Sequence, residues 1–279
     1  MKTDSPASKT AAMVAGYRAR ASERENPICS DPWADLLVGE FGRELSAQHD
    51  AAMPFGELWI GVRTAWLDAR VRQLSGSERP QVVILGAGYD TRAARLAADG
   101  VRFFEVDHPE SQAHKLERLG TLDGYPADAA TYVGCDFEKD DWFVRLQEEG
   151  WDPAVATVFL WEGVTMYLTT EAIEATLSRI ARCHPSTVLF FDFFGKKMAQ
   201  GRRLDAGSEQ LRELVADVGE PFLNGWNDVV PLLSGCGFRH VRVINFDQAA
   251  LSLTGTYDRD RMFRFQSFAA TSVGFDFGL

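Results

Sequence analysis

A short apolar run that ends in a glycine turn, Val82–Gly88 (VVILGAG), constrains the fold of this chain most. Consecutive apolar residues with β-branched members are typical of a strand that is buried on both faces. Further strands are predicted at Val101–Val106, Tyr132–Val133, Ala156–Trp161 and Thr187–Phe194, with helical stretches between them. This alternation predicts an α/β fold with a mostly parallel sheet that is covered by helices on both faces.

Glycine or acidic residues follow four of the predicted strands. Gly86 and Gly88 follow the first strand, Asp107 the second, Asp136 the third and Glu162 the fourth. In parallel α/β sheets, ligands bind at the carboxyl ends of the strands, near the position where the strand order reverses. We therefore expect these five residues to lie along one edge of the sheet and to form one ligand site.

The glycine turn has two interpretations. A Gly-x-Gly turn lets the backbone approach a ligand, and the following helix offers free N–H groups, but many turns use glycine for geometry alone. The turn lacks the third glycine of a dinucleotide fingerprint, because Tyr89-Asp90-Thr91 follows Gly88. Asp90 would repel a pyrophosphate, whereas a ligand with an ammonium and a sulfonium group would accept it.

The acidic candidates also have structural interpretations. Asp107 can accept hydrogen bonds from both hydroxyls of a ribose, or it can be a helix N-cap before Pro109. Glu105 shares its strand face and competes with it for the ligand role. Asp136 can accept from an adenine amino group, with the Phe137 ring nearby, or it can lie in an acidic turn. The strand-end pattern as a whole, with the glycine turn, outlines an adenosine pocket.

Glu162 interrupts an apolar run, TVFLWEGVTMYL, where it lies between Trp161 and Gly163. Burying a carboxylate is costly unless it has a partner. The position therefore favours a role in a binding site, and a buried structural ion pair is the alternative.

Composition narrows the classes of partner. The 279 residues include 29 basic and 40 acidic ones, for a net charge of −11, which disfavours nucleic acid and anionic membrane surfaces. The five histidines form no metal-binding motif and the four cysteines form no CxxC pair, so we expect neither a metal nor disulfides. The polar N-terminus and strand-sized apolar runs predict a cytoplasmic protein without a signal peptide or membrane span. The cysteines are Cys29, Cys135, Cys183 and Cys236.

Three segments, VVILGAGYDTRAARL, FFEVDHPESQAHKLERL and TVFLWEGVTMYLTTEAIEATL, resemble the S-adenosylmethionine-dependent methyltransferases of the leucine carboxyl methyltransferase family. More narrowly, the chain is similar to the bacterial polyketide O-methyltransferase branch. The resemblance extends from TAAMVAGYRARASERENPICSDPWA to GEPFLNGWNDVVPLLSGCGF. It implies a seven-stranded, Rossmann-like class I methyltransferase fold with added N-terminal helices and a helical lid. It also implies S-adenosyl-L-methionine as cofactor and S-adenosyl-L-homocysteine as product.

The resemblance carries roles to individual residues. It implies that Arg63 holds the cofactor carboxylate, that Asp107 binds the ribose, and that Asp136-Phe137 contacts the adenine. The family often has Asp-Leu in place of Asp-Phe, a difference that should alter only the packing on adenine. The remaining cofactor residues by this resemblance are Gly86, Gly88 and Glu162.

The expected organisation is a single methyltransferase domain over residues 1–279. Its parts are an N-terminal helical cap (1–78), a cofactor-binding core (79–194), a lid or substrate region (195–235) and two final strands (236–279), which we expect to form a hairpin at the sheet edge. Residues 195–225 are predicted to be helical, with a further helix at Asn227–Ser234. The oligomeric state stays open.

The expected reaction is O-methylation of a carboxylate or hydroxyl on a small, polyketide-like secondary metabolite. The alternatives are methylation of a protein C-terminal carboxyl group and a non-catalytic nucleotide-binding role. A carboxylate acceptor needs no general base and none is assigned, although a phenol with a pKa near ~10 would profit from one. Arginines that an anionic acceptor would need, among them Arg18 and Arg203, are expected mainly on solvated helix faces. The substrate candidates are Tyr17, Arg18, Tyr167, Phe222 and Trp226.

Overall fold

The fold is a seven-stranded sheet between layers of helices. The computed structural model describes residues 9–50, 53–137, 139–202, 204, 206–217, 219–255 and 263–277; Arg203 lies outside them. The strand order is β3-β2-β1-β4-β5-β7-β6, with β1 to β5 parallel and β7 antiparallel to both of its neighbours. The strands are β1 Gln81–Leu85, β2 Arg102–Asp107, β3 Ala130–Gly134, β4 Thr157–Trp161, β5 Val188–Phe194, β6 His240–Asn245 and β7 Gln266–Ser272.

Three helices precede the sheet, and the others lie between its strands along the chain. Helices α1 Lys9–Ser22, α2 Ala34–Gln48 and α3 Gly56–Leu74 come before β1. A short 3-10 helix, Thr165–Tyr167, follows β4. The remaining helices are α4 Arg92–Arg95, α5 Pro109–Leu119, α6 Trp142–Glu148, α7 Thr170–Ile180, α8 Lys196–Gln200, α9 Ala206–Asp217, α10 Val230–Gly235 and α11 Phe246–Thr254.

Alternate side chains of the central strands enter two separate cores. On β1, Val82 packs in the cluster that contains Leu67 of α3, whereas Val83 packs in the cluster that contains Leu177 of α7. The strand is fully buried because helices cover both of its faces, which confirms the predicted α/β fold with a mostly parallel sheet. With both faces covered, the carboxyl edge of the sheet is left for a ligand site. In the described part of the chain, no helix is long and apolar enough to cross a membrane.

The last two strands pair antiparallel, but they do not form the simple hairpin that the sequence predicts. Strand β7 lies between β5 and β6, and helix α11 separates β6 from β7 along the chain. The strand ends at Asn245 because its side chain accepts from the Gln248 N–H while the Gln248 side chain accepts from the Asn245 N–H. This capping box starts a helix that the sequence analysis missed.

The segment after β5 is less helical than predicted. Helix α8 ends at Gly201, which has φ +61° in the left-handed region, and α9 follows. Beyond α9 the chain runs without helix over 219–229, because its backbone bonds to other segments instead. Leu223 N–H donates to Met166 O at 2.7 Å, and Trp226 N–H donates to Phe194 O at 2.8 Å.

Candidate active site

A cavity of about 640 Å³ opens at the carboxyl edge of the sheet. Helix α1, the turns after β1, β2, β3 and β4, and the segment after α9 all contribute to its wall. The structure brings all seven proposed cofactor residues to this wall: Arg63, Gly86, Gly88, Asp107, Asp136, Phe137 and Glu162.

The glycine turn after β1 leaves no room for side chains. Gly86 has φ +68°, and a Cβ atom there would lie 2.5 Å from Cγ2 of Val164. Gly88 has φ +47°, and its Cβ would lie 3.3 Å from Cβ of Ala11. Both positions therefore require glycine for conformation, and the bare backbone forms part of the cavity wall.

Asp107 ends β2 and is tied to the glycine turn. Its Oδ1 accepts from the N–H of His108 at 2.6 Å, and its Oδ2 accepts from the N–H of Gly88. Burial raises the pKa of Asp107, and these two backbone donors oppose the rise. The side chain that caps α5 belongs to His108, which accepts from the Glu110 N–H at 3.3 Å, so Asp107 is not the N-cap.

Glu105, the competitor of Asp107, lies outside the cavity wall. Its carboxylate pairs with the ammonium of Lys115, and both side chains are buried. Burial raises the pKa of Glu105 to about 7, and the Lys115 charge opposes that rise. Lys115 also donates to the backbone oxygen of Asp90 at 2.5 Å, so the pair supports the glycine turn from behind.

Glu162 lines the cavity and also forms buried ion pairs, so both interpretations of its position apply. Its Oε1 accepts from Arg63 Nε at 2.7 Å, and its Oε2 lies 2.6 Å from Arg92 Nη1. Burial raises the pKa of Glu162, but the charges of Arg92 and Arg63 outweigh burial and hold the pKa below its ordinary value. The carboxylate is therefore ionised at neutral pH.

Arg63 is held by one edge of its guanidinium group. Nε is bonded to Glu162, and Nη1 lies 3.8 Å from Asp192 Oδ2, too far for a hydrogen bond. In the part of the chain that the structure describes, Nη1 and Nη2 make no hydrogen bond. These nitrogens are available to an anionic group in the cavity.

Asp90 and Arg18 line the cavity and are buried in an ionic network next to the glycine turn. Burial raises the pKa of Asp90, but the charge of Arg92, with smaller contributions from other cations, lowers it to about 2. Arg18, expected on a solvated face, is only 7% exposed. Its Nε donates to Asp31 at 2.6 Å and its Nη2 to the backbone oxygen of Tyr89 at 2.5 Å. The expectation was wrong for Arg18, because Asp31 supplies the compensating charge.

Asp136 and Phe137 follow β3, the edge strand of the sheet, and line the cavity there. Both are partly buried. Asp136 Oδ2 accepts from the ammonium of Lys139 at 2.6 Å and lies 3.7 Å from His108 Nε2. This end combines a carboxylate with an aromatic ring, as an adenine ring would require.

The five substrate candidates divide into two groups. Arg18, Tyr167 and Phe222 line the cavity, whereas Tyr17 and Trp226 do not. The ring of Tyr17 is fully buried against α3, where a Cβ on Gly56 would lie 2.6 Å from it. Trp226 packs against Phe193 in the core on the other face of the sheet, with ring centroids 6.3 Å apart.

Several cavity residues were not singled out as site residues by the sequence analysis. Most belong to an apolar wall, whereas Lys139 and Glu220 are charged. No strand end or motif marks Glu220, because it lies in the irregular segment after α9. The apolar side chains among them include Met13, Val14, Met166, Phe194, Leu211 and Val215.

With this fold, the chain is an S-adenosyl-L-methionine-dependent methyltransferase, the class to which its family and its sequence relatives assign it. The chain belongs to the leucine carboxyl methyltransferase family, whose sequence profile matches residues 11–181. A protein of Mycolicibacterium smegmatis named for S-adenosyl-L-methionine-dependent methyltransferase activity is 32% identical over 231 residues, which cover 74% of this chain and 76% of that protein. A Mycobacterium tuberculosis protein with the same kind of name is 32% identical over 257 residues, with coverages of 82% and 72%.

Solved structures show the same fold at low sequence identity. A DUF574 family protein from Streptomyces avermitilis has a TM-score of 0.64 at 12% identity, and the match covers 93% of this chain and 96% of that one. A Thermobifida fusca protein that is described as a methyltransferase has a TM-score of 0.62 at 16% identity, with 93% of each chain covered. These structures show the fold, and the family match together with the sequence relatives shows the cofactor class.

Proposed function

We propose that this enzyme methylates an oxygen atom of a small molecule with an apolar, polyketide-like body. The observation that carries the proposal is the composition of the cavity wall. Its strand-end side carries glycines and carboxylates, and its other side is apolar and partly aromatic. The cavity volume of about 640 Å³ lies within the size range of small-molecule sites, and its wall has a polar and an apolar region.

The polar region fits the cofactor group by group. The Gly86 and Gly88 turn provides the close backbone approach, and Asp107 would accept from the ribose hydroxyls. The free edge of Arg63 would hold the cofactor carboxylate. Asp136 and Phe137 would receive the adenine. Asp90 and Glu162 add negative charge to the wall, which suits a ligand that carries an ammonium and a sulfonium group.

The cofactor supplies a methyl group on a sulfonium centre, which makes it transferable to a nucleophilic oxygen. The work of the protein residues is to align the acceptor oxygen with that methyl group and to exclude water. Alignment of this kind contributes up to about 7–11 kcal/mol in well-oriented systems. The buried Arg63–Glu162 pair fixes the wall where the cofactor's amino acid end would lie.

The apolar region has the character of a binding surface for a flat, hydrophobic molecule. Phe194 and Phe222 pack edge to face with centroids 5.0 Å apart, and Tyr167 lies beside Phe222 at 5.6 Å. Trp59 adds a fourth ring, 6.3 Å from Phe194. Rings in such contacts form a rigid wall that binds an aromatic body at low entropic cost.

The test has a binding arm and a transfer arm. Calorimetry and thermal unfolding should show that S-adenosyl-L-methionine and S-adenosyl-L-homocysteine bind and stabilise the protein, whereas NAD does not. The enzyme, with cofactor labelled in its methyl group, is then incubated with a panel of hydroxy-aromatic compounds and aromatic acids. We expect label in small molecules by mass spectrometry, and saponification identifies esters. Label found only on the C-terminal carboxyl groups of proteins would contradict the proposal.

A further inference from the structure

Two polar residues of the cavity wall lie beside its aromatic rings, since the Tyr167 ring is 5.6 Å from that of Phe222 and Glu220 precedes Phe222 by two positions. Tyr167 carries a hydroxyl and Glu220 a carboxylate. Among the residues that the structure describes, neither side-chain group has a hydrogen bond or an ion pair. Burial, and after it the negative charge of Glu220, raises the pKa of Tyr167, so this hydroxyl stays protonated.

Backbone hydrogen bonds fix the segments that carry Tyr167 and Glu220. Glu220 follows α9, and its N–H donates to Val215 O at 3.1 Å. The next residues are bonded to the segment that carries Tyr167, since the N–H groups of Leu223 and Asn224 both donate to Met166 O, at 2.7 and 3.2 Å. Glu220 is therefore a partly buried residue at the start of a segment whose backbone is fixed by hydrogen bonds.

The arginine and lysine side chains of the cavity wall already have carboxylate partners. Arg18 is bonded to Asp31 at 2.6 Å, and Arg63 is bonded to Glu162 at 2.7 Å and offers its other edge to the cofactor carboxylate. Lys139 lies at the far end of the cavity with Asp136. With the cofactor carboxylate on Arg63, an anionic acceptor in the apolar region would therefore meet the charge of Glu220 while Arg18, Arg63 and Lys139 already have anionic partners.

We propose that Glu220 makes this enzyme select an uncharged acceptor whose hydroxyl group donates a hydrogen bond to its carboxylate, and reject aromatic carboxylates. The inference rests on the proposed function and narrows its substrate class. A carboxylate only accepts hydrogen bonds, so it pairs with a hydroxyl and repels a second carboxylate. Tyr167, which still carries its proton, contributes a donor to an ether or carbonyl oxygen of the same molecule.

Methyl transfer to such a hydroxyl group releases one proton. The O–H bond of the acceptor breaks and its proton passes to the Glu220 carboxylate and then to water. The acceptor oxygen forms the new O–CH3 bond while the S–CH3 bond breaks with its electron pair staying on sulfur. The products are a methyl ether and S-adenosyl-L-homocysteine.

The test uses binding, so that it does not depend on knowing the natural acceptor. The protein saturated with S-adenosyl-L-homocysteine is titrated with 2-naphthol and with 2-naphthoate by calorimetry, at neutral pH. We expect 2-naphthol to bind at least tenfold more tightly than 2-naphthoate. Glu220→Gln removes the charge and keeps the shape, and it should narrow that ratio at least threefold, chiefly by improving binding of the naphthoate.

The matched control is Glu213→Gln, the same change at an exposed residue of α9, which should leave the ratio unchanged. Glu220→Ala repeats the measurement with a side chain that cannot hydrogen-bond. An equal or stronger affinity for naphthoate, no binding of either probe, or a ratio that Glu220→Gln and Glu220→Ala leave unaltered would overturn the inference. Failure of S-adenosyl-L-homocysteine itself to bind would instead reject the proposed function.

Discussion

At the scale of single residues, some side chains of the cavity wall also accept hydrogen bonds from the backbone. Asp107 shows this most clearly, because it accepts from Gly88 and His108 while it lines the cavity. Each carboxylate oxygen has two lone-pair positions, so Asp107 can hold the glycine turn and still accept from a ribose. The turn and the ligand contact are thus supported by one side chain.

Replacement of Asp107 by alanine should weaken binding of S-adenosyl-L-methionine at least tenfold. A hydrogen bond to a charged group contributes about 1.5–3 kcal/mol, and about 1.4 kcal/mol corresponds to tenfold. Calorimetry measures the affinity, with Asp99→Ala as the control because Asp99 is exposed on the turn before β2. An Asp107→Ala protein that folds and binds as the wild type does would remove Asp107 from the site.

The strand-end residues could be placed from sequence because parallel strands bring their carboxyl ends to one edge. Gly86, Asp107 and Glu162 needed only the strand assignments. Glu220 could not be placed in this way, since its position depends on backbone bonds between an irregular segment and Met166. Arg18 was misjudged because its partner, Asp31, comes from the loop before α2, and no local pattern pairs them.

At the scale of elements, α1 forms part of the cavity wall although it lies outside the sheet. Residues such as Ala11 and Met13 line the cavity, and α1 packs closely on α2. The contact between the two helices is through backbone at Gly16, where a Cβ would overlap the carbonyl of Gly42 and lie 3.1 Å from Ser46 Oγ. This glycine therefore sets the distance between the helices and the position of the wall.

The change Gly16→Ala should lower the free energy of unfolding by about 1–2 kcal/mol in urea titrations. Overpacking costs typically about 1–3 kcal/mol and outweighs the gain of up to about 1 kcal/mol in helix propensity. Gly235→Ala, in α10, is the control, because a Cβ there meets nothing within 4 Å. If both substitutions stabilise the protein equally, the close contact between α1 and α2 does not exist.

At the scale of the whole molecule, a buried ionic network joins the N-terminal helices to the sheet edge. Arg92 is its centre, since it contacts Asp68 of α3 at 2.7 Å and Glu162 after β4 at 2.6 Å, and it also pairs with Asp90. Arg18 and Asp31 form another buried pair, from α1 and the segment before α2. Removing one member of such a network leaves a buried charge uncompensated, so its carboxylates must stay ionised for the fold to be stable.

The protein should therefore lose stability in acid as these carboxylates are protonated. The pKa of Asp90 falls from its ordinary 3.8 to about 2 in the folded protein. The resulting stabilisation, about 2 kcal/mol, is present above pH 3.8 and is lost as the pH falls through about 2. The free energies of unfolding of wild type and Asp90→Asn, measured in urea without cofactor, should differ at pH 6 and converge between pH 4 and pH 2. The control is Asp123→Asn at an exposed position, whose free energy of unfolding should follow that of the wild type at every pH. If the difference between wild type and Asp90→Asn stays constant down to pH 2, Asp90 is not held ionised by its neighbours.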